Sequence, residues 1–316
     1  MPGEFELIAR HFTRPPQDRS VVLGVGDDCA LLAPSPGHEL AVSVDTSVAQ
    51  VHFPGEAPAF AIGHRALAVS LSDLAAMGAK ARWCVMSLTL SNADDAWLGE
   101  YARGFHALCL ASGVSLVGGD VTRGELAIGV TVHGEVPTGS ALRRSGASVG
   151  EWLAVTGTLG GAHAGLLAWQ AGERDLADNP WLGAYLLPQP RLAAGQALRG
   201  LASAAIDISD GLVADLDHLC RASGVGAQLD CECLPLPEGL QARLGEQGAL
   251  RAALCGGDDY ELLISLAQRD IAEARARLAG LGLSLTLIGR VTRKTGVQGV
   301  PDEARSGWQH FSGETP

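Results

Sequence analysis

Lysine is almost missing from this chain of 316 residues, which has only Lys80 and Lys294. They follow Ala79 and Arg293, so the Gly-Lys-Ser/Thr of a P-loop is excluded. Basic residues as a whole fall short of acidic ones, 23 against 35, for a formal net charge of −12. A surface this poor in cations excludes a nucleic-acid binder, because phosphate backbones demand a basic footprint. Long apolar runs are lacking too. The best candidate, Phe60 to Ala79, is broken by His64, Arg65 and Asp73, and a membrane span needs about 18 uninterrupted apolar residues. The start, Met-Pro-Gly-Glu-Phe-Glu, has neither the basic stretch nor the apolar run of a signal peptide. Cysteines are few and unpaired in pattern. The seven are odd in number and scattered, and Cys231 and Cys233 form C-x-C, not C-x-x-C. Reduced, mostly buried thiols are the expectation, consistent with a cytoplasmic protein.

What is present is enough apolar material to fold. Hydrophobic residues make up 47% and charged ones 18%, which excludes a disordered chain. At about 150 residues per domain the length suggests two domains or one large one. Short apolar runs alternate with helical patterns: strands over 21–25, 40–44, 81–90, 114–117 and 126–136, and helices over 58–77 and 94–112. The polar, turn-rich stretch 137–150 is the expected boundary, dividing the chain into 1–137 and 138–316. Beyond it, strands are expected over 152–156, 204–208, 262–266 and 283–288. Helices are expected from 161 to 169, 188 to 201, 211 to 221 and 269 to 281. Leu212, Leu216 and Leu219 recur at helical spacing. Mixed elements in both halves predict an α/β (α+β) chain in two domains, sheet packed against helices.

The acidic residues are unevenly distributed. Many stand beside glycine or serine near predicted strand ends: Gly26-Asp27-Asp28, Ser43-Val44-Asp45-Thr46, Gly118-Gly119-Asp120, Asp207-Ile208-Ser209-Asp210-Gly211 and Gly256-Gly257-Asp258-Asp259, with Ser72-Asp73 inside the first long helix. Strand ends are where α/β proteins place ligands. Glycine lets backbone approach an anion, and carboxylates there would repel it unless a divalent metal intervenes. Hard oxygen donors of this kind suit Mg²⁺. Any one such motif is an ordinary turn pair; the recurrence is the signal. Other phosphate machinery fails on residues. No His-Arg-Asp or Asp-Phe-Gly occurs, and Cys29 stands where the third glycine of a dinucleotide fingerprint belongs. The segment Gly157-Thr-Leu-Gly-Gly161 could hold phosphate on helix amides or simply be a tight turn.

Taken together the motifs resemble those of the thiamine-monophosphate kinases, of the superfamily that includes aminoimidazole ribonucleotide synthetase and selenophosphate synthetase. They are Gly-Val-Gly-Asp-Asp-Cys-Ala at 24–30, Ser-Val-Asp-Thr at 43–46, Leu-Ser-Asp-Leu-Ala-Ala-Met-Gly-Ala at 71–79, Gly-Gly-Asp-Val-Thr-Arg-Gly at 118–124, Ile-Asp-Ile-Ser-Asp-Gly-Leu at 206–212 and Gly-Gly-Asp-Asp-Tyr-Glu-Leu at 256–262. The resemblance runs over nearly the whole length. It implies the two-domain fold of aminoimidazole ribonucleotide synthetase, with ATP, Mg²⁺ and dimerisation in the N-terminal domain and the C-terminal domain completing the substrate site. It implies transfer of the ATP γ-phosphoryl group to thiamine monophosphate. Asp28, Ser43, the Val44 backbone, Asp45, Asp73, Asp120, Asp207 and Asp210 would hold several Mg²⁺ ions. Gly119, Asp120, Arg144 and Ser209 would contact ATP, and His52, Asp258 and Trp308 the thiamine substrate. Asp258 departs from the family pattern, which has glutamate there. A homodimer is implied as well.

The chemistry is coherent with these residue types. Donor and acceptor are both phosphates, and each pair of unit charges at 4 Å costs about 4 kcal/mol at an effective dielectric near 20. Bridging Mg²⁺ offsets this, which calls for aspartates and not lysines. The acceptor phosphate is already ionised near neutral pH, its second pKa being about 6. No general base is needed, and direct in-line transfer follows, with Arg144 a candidate for neutralising developing charge. Two rivals remain: another ATP-dependent kinase or synthetase of the same superfamily, and a non-catalytic metal- and nucleotide-binding regulator.

Overall fold

The computed structural model describes residues 4–301, which divide into two units: 4–74 with 79–141, and 75–78 with 142–301.

The first unit opens with a helical turn α1 (Glu4–Leu7) that continues as a π-helical turn, then a small hairpin of β1 (Val21–Leu23) and β2 (Leu31–Leu32). There follow β3 (His38–Val48), α2 (Ala59–Ala76), β4 (Lys80–Leu90), α3 (Asp95–Ser112), β5 (Ser115–Arg123) and β6 (Ala127–Pro137). The sheet order is β3-β6-β4-β5. β4 and β5 are parallel and the other neighbours antiparallel, so β4 and β5 need a crossover between them, which α3 provides. Asp94 starts that helix by accepting the amides of Ala96 and Trp97 at 2.9 and 3.3 Å, and Gly113 in the left-handed region ends it. One sheet face packs on α2 and α3: Leu67, Leu71, Leu98, Tyr101, Phe105, Leu88 and Val130 are all buried. Among the bonds tying the layers are Ser70 Oγ to the Val130 carbonyl at 3.2 Å and the Tyr101 hydroxyl to Met86 Sδ at 3.1 Å. On the other face, alternation along β3 leaves Leu40, Val42 and Val44 exposed by 51%, 58% and 63%.

The second unit comprises β7 (Trp152–Thr156), α4 (Gly161–Gln170), α5 (Pro180–Leu186), α6 (Leu192–Leu198), β8 (Ala202–Asp207), α7 (Leu212–Ser223), β9 (Gly226–Leu229), α8 (Leu240–Cys255), β10 (Leu262–Leu266), α9 (Ile271–Ala279), β11 (Leu285–Thr292) and β12 (Gly296–Gln298). Its sheet runs β12-β9-β11-β7-β10-β8, antiparallel except for β12 on β9. Alternate residues of the central strands feed two cores. Leu153, Val155, Ile206 and Leu263 join Leu212, Leu216 and Leu219 of α7. Ala154, Ala205, Leu262 and Ile264 join Leu198 of α6 and Ile271, Ala274 and Leu278 of α9. Helices on both faces explain why β7 and β10 read as mainly apolar runs without alternation.

The mixed sheets packed against helices match the expected fold class. Two of the placements that differ from expectation bear on the site. β3 extends over 38–48, because its polar residues Ser43, Asp45 and Ser47 alternate with apolar ones and remain in register with β6. β5 extends to Arg123, well past Val117. Asp45 and Asp120 therefore lie inside strands, held by ladder hydrogen bonds, and not at strand ends.

Candidate functional site

In the first unit the register of β3 turns Ser43 and Asp45 to the same side of the strand. That side faces α2: the Ser43 hydroxyl donates to Asp73 Oδ2, and Asp45 feels the charge of Asp73. Burial first and Asp73 second push the Asp45 carboxyl up to about 6, with the Ser70 hydroxyl opposing. Asp45 Oδ2 is buried and has no hydrogen-bond partner. A solvent-shielded carboxylate beside another carboxylate, one oxygen orphaned, is a place for a hard cation. Asp120 takes the other side of the sheet, since it pairs with Ser87 in the parallel ladder. It lines a concavity of about 420 Å³ with Gly119, Val44, Thr46, Ser87 and Thr131. Asp28 stands in an exposed turn, its amide donating to Asp27 Oδ1 at 2.8 Å. Among the described residues no group of three or more His, Cys, Asp or Glu side chains is arranged to hold a metal ion. Ser43, Asp45 and Asp73 are thus brought together, while Asp120 projects from the opposite face. His52 follows β3, where its Nδ1 accepts the Val48 amide at 3.0 Å. A neutral ring so held carries its proton on Nε2.

In the second unit the antiparallel register of β8 on β10 sets Asp207 opposite Leu262. The motifs at 206–212 and 256–262 consequently meet at one end of the sheet. Their loops zip together: Ile208 N–H to the Glu261 carbonyl at 2.9 Å, Tyr260 N–H to the Ile208 carbonyl at 2.8 Å, and Asp258 N–H to the Ser209 carbonyl at 2.8 Å. Asp258 and Tyr260 are both at positive φ, 61° and 49°, a strained backbone of the kind that collects at functional sites. Glu261 anchors the segment from below. It accepts Arg191 Nε and Nη2 at 2.8 and 2.5 Å and the Thr156 hydroxyl at 2.6 Å. Arg144 is exposed, its carbonyl accepting the Ser223 hydroxyl at 2.9 Å, and the neighbouring Arg143 carbonyl pairs with the Ala205 amide alongside β8. Trp308 lies outside the described residues.

The alternative left open at 157–161 resolves toward the turn. At the start of α4 the amides of Gly160 and Ala162 are taken by the Asp259 carboxylate at 2.9–3.0 and 3.4 Å. The segment 157–161 is therefore a turn closed by an internal carboxyl group, which occupies the Gly160 and Ala162 amides. At α7 the N-cap is Gly211 and not Asp210, so Asp210 is released from the capping role that its position before Gly211 suggests. Sequence reasoning missed Asp215, a carboxylate only 3% exposed that collects the amides of Ser209, Asp210 and Gly211. Burial, then Asp210 and Asp207, push it up to about 7. The signal was available: Asp215 falls on the same helical stripe as Leu212, Leu216 and Leu219, where a charge is out of place.

A four-stranded and a six-stranded sheet, each layered on helices and each carrying aspartates beside glycine or serine, define a two-domain α/β protein equipped with oxygen ligands. The family profile described as AIR synthase related protein, N-terminal domain, matches residues 26–136, and the corresponding C-terminal domain matches residues 148–300. The thiamine-monophosphate kinase of Escherichia coli (strain K12) is 45% identical over 294 residues, covering 92% of this chain and 90% of that protein. The crystal structure of thiamine-monophosphate kinase from Stenotrophomonas maltophilia K279a superposes with a TM-score of 0.85 at 42% identity, covering 92% and 93% of the two chains. A structure described as AaThiL complexed with AMPPCP and TMP has a TM-score of 0.79 at 31% identity, covering 91% and 92%. The chain belongs to the AIR synthase related family and, within it, to the thiamine-monophosphate kinases.

Proposed function

We propose that this chain transfers the γ-phosphoryl group of ATP to thiamine monophosphate, giving thiamine diphosphate, with several Mg²⁺ ions. Kinship with thiamine-monophosphate kinases over nine-tenths of the length supports the reaction. The observation that carries the site is Asp45, a half-buried carboxylate with one buried, orphaned oxygen, next to Asp73. Two neighbouring anions taken out of water are unfavourable unless a cation joins them. Ser43, the Val44 carbonyl, Asp45 and Asp73 would hold Mg²⁺, and Asp28, Asp120, Asp207 and Asp210 would supply further carboxylates. When bound, Mg²⁺ neutralises phosphate charge and orients the reacting oxygens. Gly119, Asp120, Arg144 and Ser209 bind ATP in this account. His52, Asp258 and Trp308 bind the thiamine substrate, with the His52 ring oriented by the Val48 amide and the Asp258 carboxylate by the Tyr260 hydroxyl. Since the acceptor oxygen is ionised near neutral pH, its second pKa being about 6, these residues position reactants and need move no proton.

We infer also that two copies associate through the first unit's uncovered sheet face, and that the protein works in the cytoplasm. Leu40, Val42 and Val44 supply an exposed apolar stripe there, of the kind that marks interaction surfaces. Seven free thiols are compatible with a reducing compartment.

The test is an assay for thiamine diphosphate with ATP and Mg²⁺, run beside aminoimidazole-ribonucleotide precursors and selenide as alternative substrates. Product from thiamine monophosphate alone is expected. Turnover of another substrate, or ATP binding with no product, would replace this function by one of its rivals.

A further inference from the structure

We propose that Asp215 is a positioning residue for phosphoryl transfer, which fixes the turn presenting Ser209 and Asp210. This rests on the function proposed above. The geometry is independent of it. One oxygen, Asp215 Oδ2, accepts three successive backbone amides: Ser209 at 3.0 Å, Asp210 at 3.1 Å and Gly211 at 3.2 Å. The carboxylate is 3% exposed, so water does not substitute for it at those amides. Its own amide donates back to the Gly211 carbonyl at 3.0 Å, closing the first turn of α7. Gly211 completes the arrangement: at φ 117° a Cβ there would stand 2.9 Å from Cys255 Cα, so the turn has no slack on that side.

The opposite edge of the same turn is also fixed. The Ser209 carbonyl accepts the Asp258 amide and the Ile208 carbonyl accepts the Tyr260 amide, both at 2.8 Å. Donors on one edge go to Asp215 and acceptors on the other go to the 256–261 segment. Between them the Ser209 and Asp210 amides and the Ser209 carbonyl are held, which sets the directions in which the two side chains emerge. Removing the carboxylate leaves three amides without partners and frees the turn to rotate. A misplacement of about 1 Å at a reacting site costs about 10²-fold in rate.

The experiment compares Asp215→Ala and Asp215→Asn with the wild-type chain, by steady-state kinetics and by calorimetric binding of AMPPCP with Mg²⁺. Asp215→Ala is expected to lower kcat about 10²-fold. Asp215→Asn keeps an acceptor oxygen and is expected to lower kcat about 3- to 10-fold. Should the alanine variant not fold, the asparagine variant carries the comparison. A double-mutant cycle separates positioning from mere stability. In a Ser209→Ala/Asp210→Asn background, adding Asp215→Asn should change the AMPPCP–Mg²⁺ affinity by less than about 2-fold, because the side chains it orients are gone. An equal loss in both backgrounds, or wild-type kcat in Asp215→Asn, overturns the assignment. Absence of thiamine diphosphate from the wild-type chain would instead sink the functional reading, leaving the binding cycle to decide on Asp215.

Discussion

The Tyr260 hydroxyl donates to Asp258 Oδ1 at 3.0 Å, although the two residues are only two apart and both occupy left-handed backbone. The strained turn aims the tyrosine back over the carboxylate proposed to meet the thiamine substrate. Tyr260→Phe removes that bond and keeps the ring. It is expected to raise KM for thiamine monophosphate about 5–10-fold, as the loss of one hydrogen bond of about 1 kcal/mol or slightly more predicts. KM for ATP should stay within about 2-fold, because Asp258 is assigned to the other substrate. Initial-rate measurements with each substrate varied in turn check this.

Glu261 is a stability residue. Its carboxylate is 3% exposed and receives both Arg191 nitrogens and the Thr156 hydroxyl, while Thr156 Oγ1 accepts the Leu262 amide at 2.9 Å. Glu261→Ala leaves a half-buried guanidinium without its anion, and breaking such a pair costs about 3 kcal/mol or more. Denaturant unfolding should register that loss, with a larger effect than Glu273→Ala, whose ion pair to Arg277 is exposed.

Asp259 sets a pH dependence of stability. Burial, the first cause, pushes its carboxyl up to about 8, against the pull of the Gly160 and Ala162 amides. Unfolded, an aspartate titrates near pH 3.9. A folded pKa above the unfolded one means stability that is complete below about pH 4 and is lost as pH rises through 8. Asp259→Asn imitates the protonated acid and removes this dependence. The variant should gain on the wild type by at least about 1 kcal/mol between pH 5 and pH 8, one pKa unit being worth about 1.4 kcal/mol. Thermal unfolding of both chains across that range measures it.

Much of the second unit's framework is legible in the sequence, and the reasons are physical. β7 and β10 coincide with the expected strands because both faces are covered and all but Thr156 and Ser265 are apolar. α8 escapes because Gly245, at φ 72°, interrupts it between Leu244 and Glu246, so no helical period runs through. β9 is four residues long and begins on glycine, too little for a period to show. At the site, the acidic motifs mark the loops, but three features needed the fold. Only register puts Asp207 opposite Leu262. Only the tertiary turn brings Asp259 to the start of α4, and only the fold shows Asp215 collecting the amides of Ser209, Asp210 and Gly211.

The most direct measurement is thiamine diphosphate formation by the Asp45→Asn variant with saturating ATP and Mg²⁺, alongside its unfolding midpoint. The substitution keeps the size of the side chain and removes the charge that the orphaned, buried oxygen carries. Loss of at least about 10³-fold in kcat with an undiminished midpoint is the predicted result, the charge stabilisation of a transferring phosphoryl group being worth several kcal/mol. Activity within about tenfold of wild type would contradict the claim that this carboxylate gathers divalent cations between two anionic reactants.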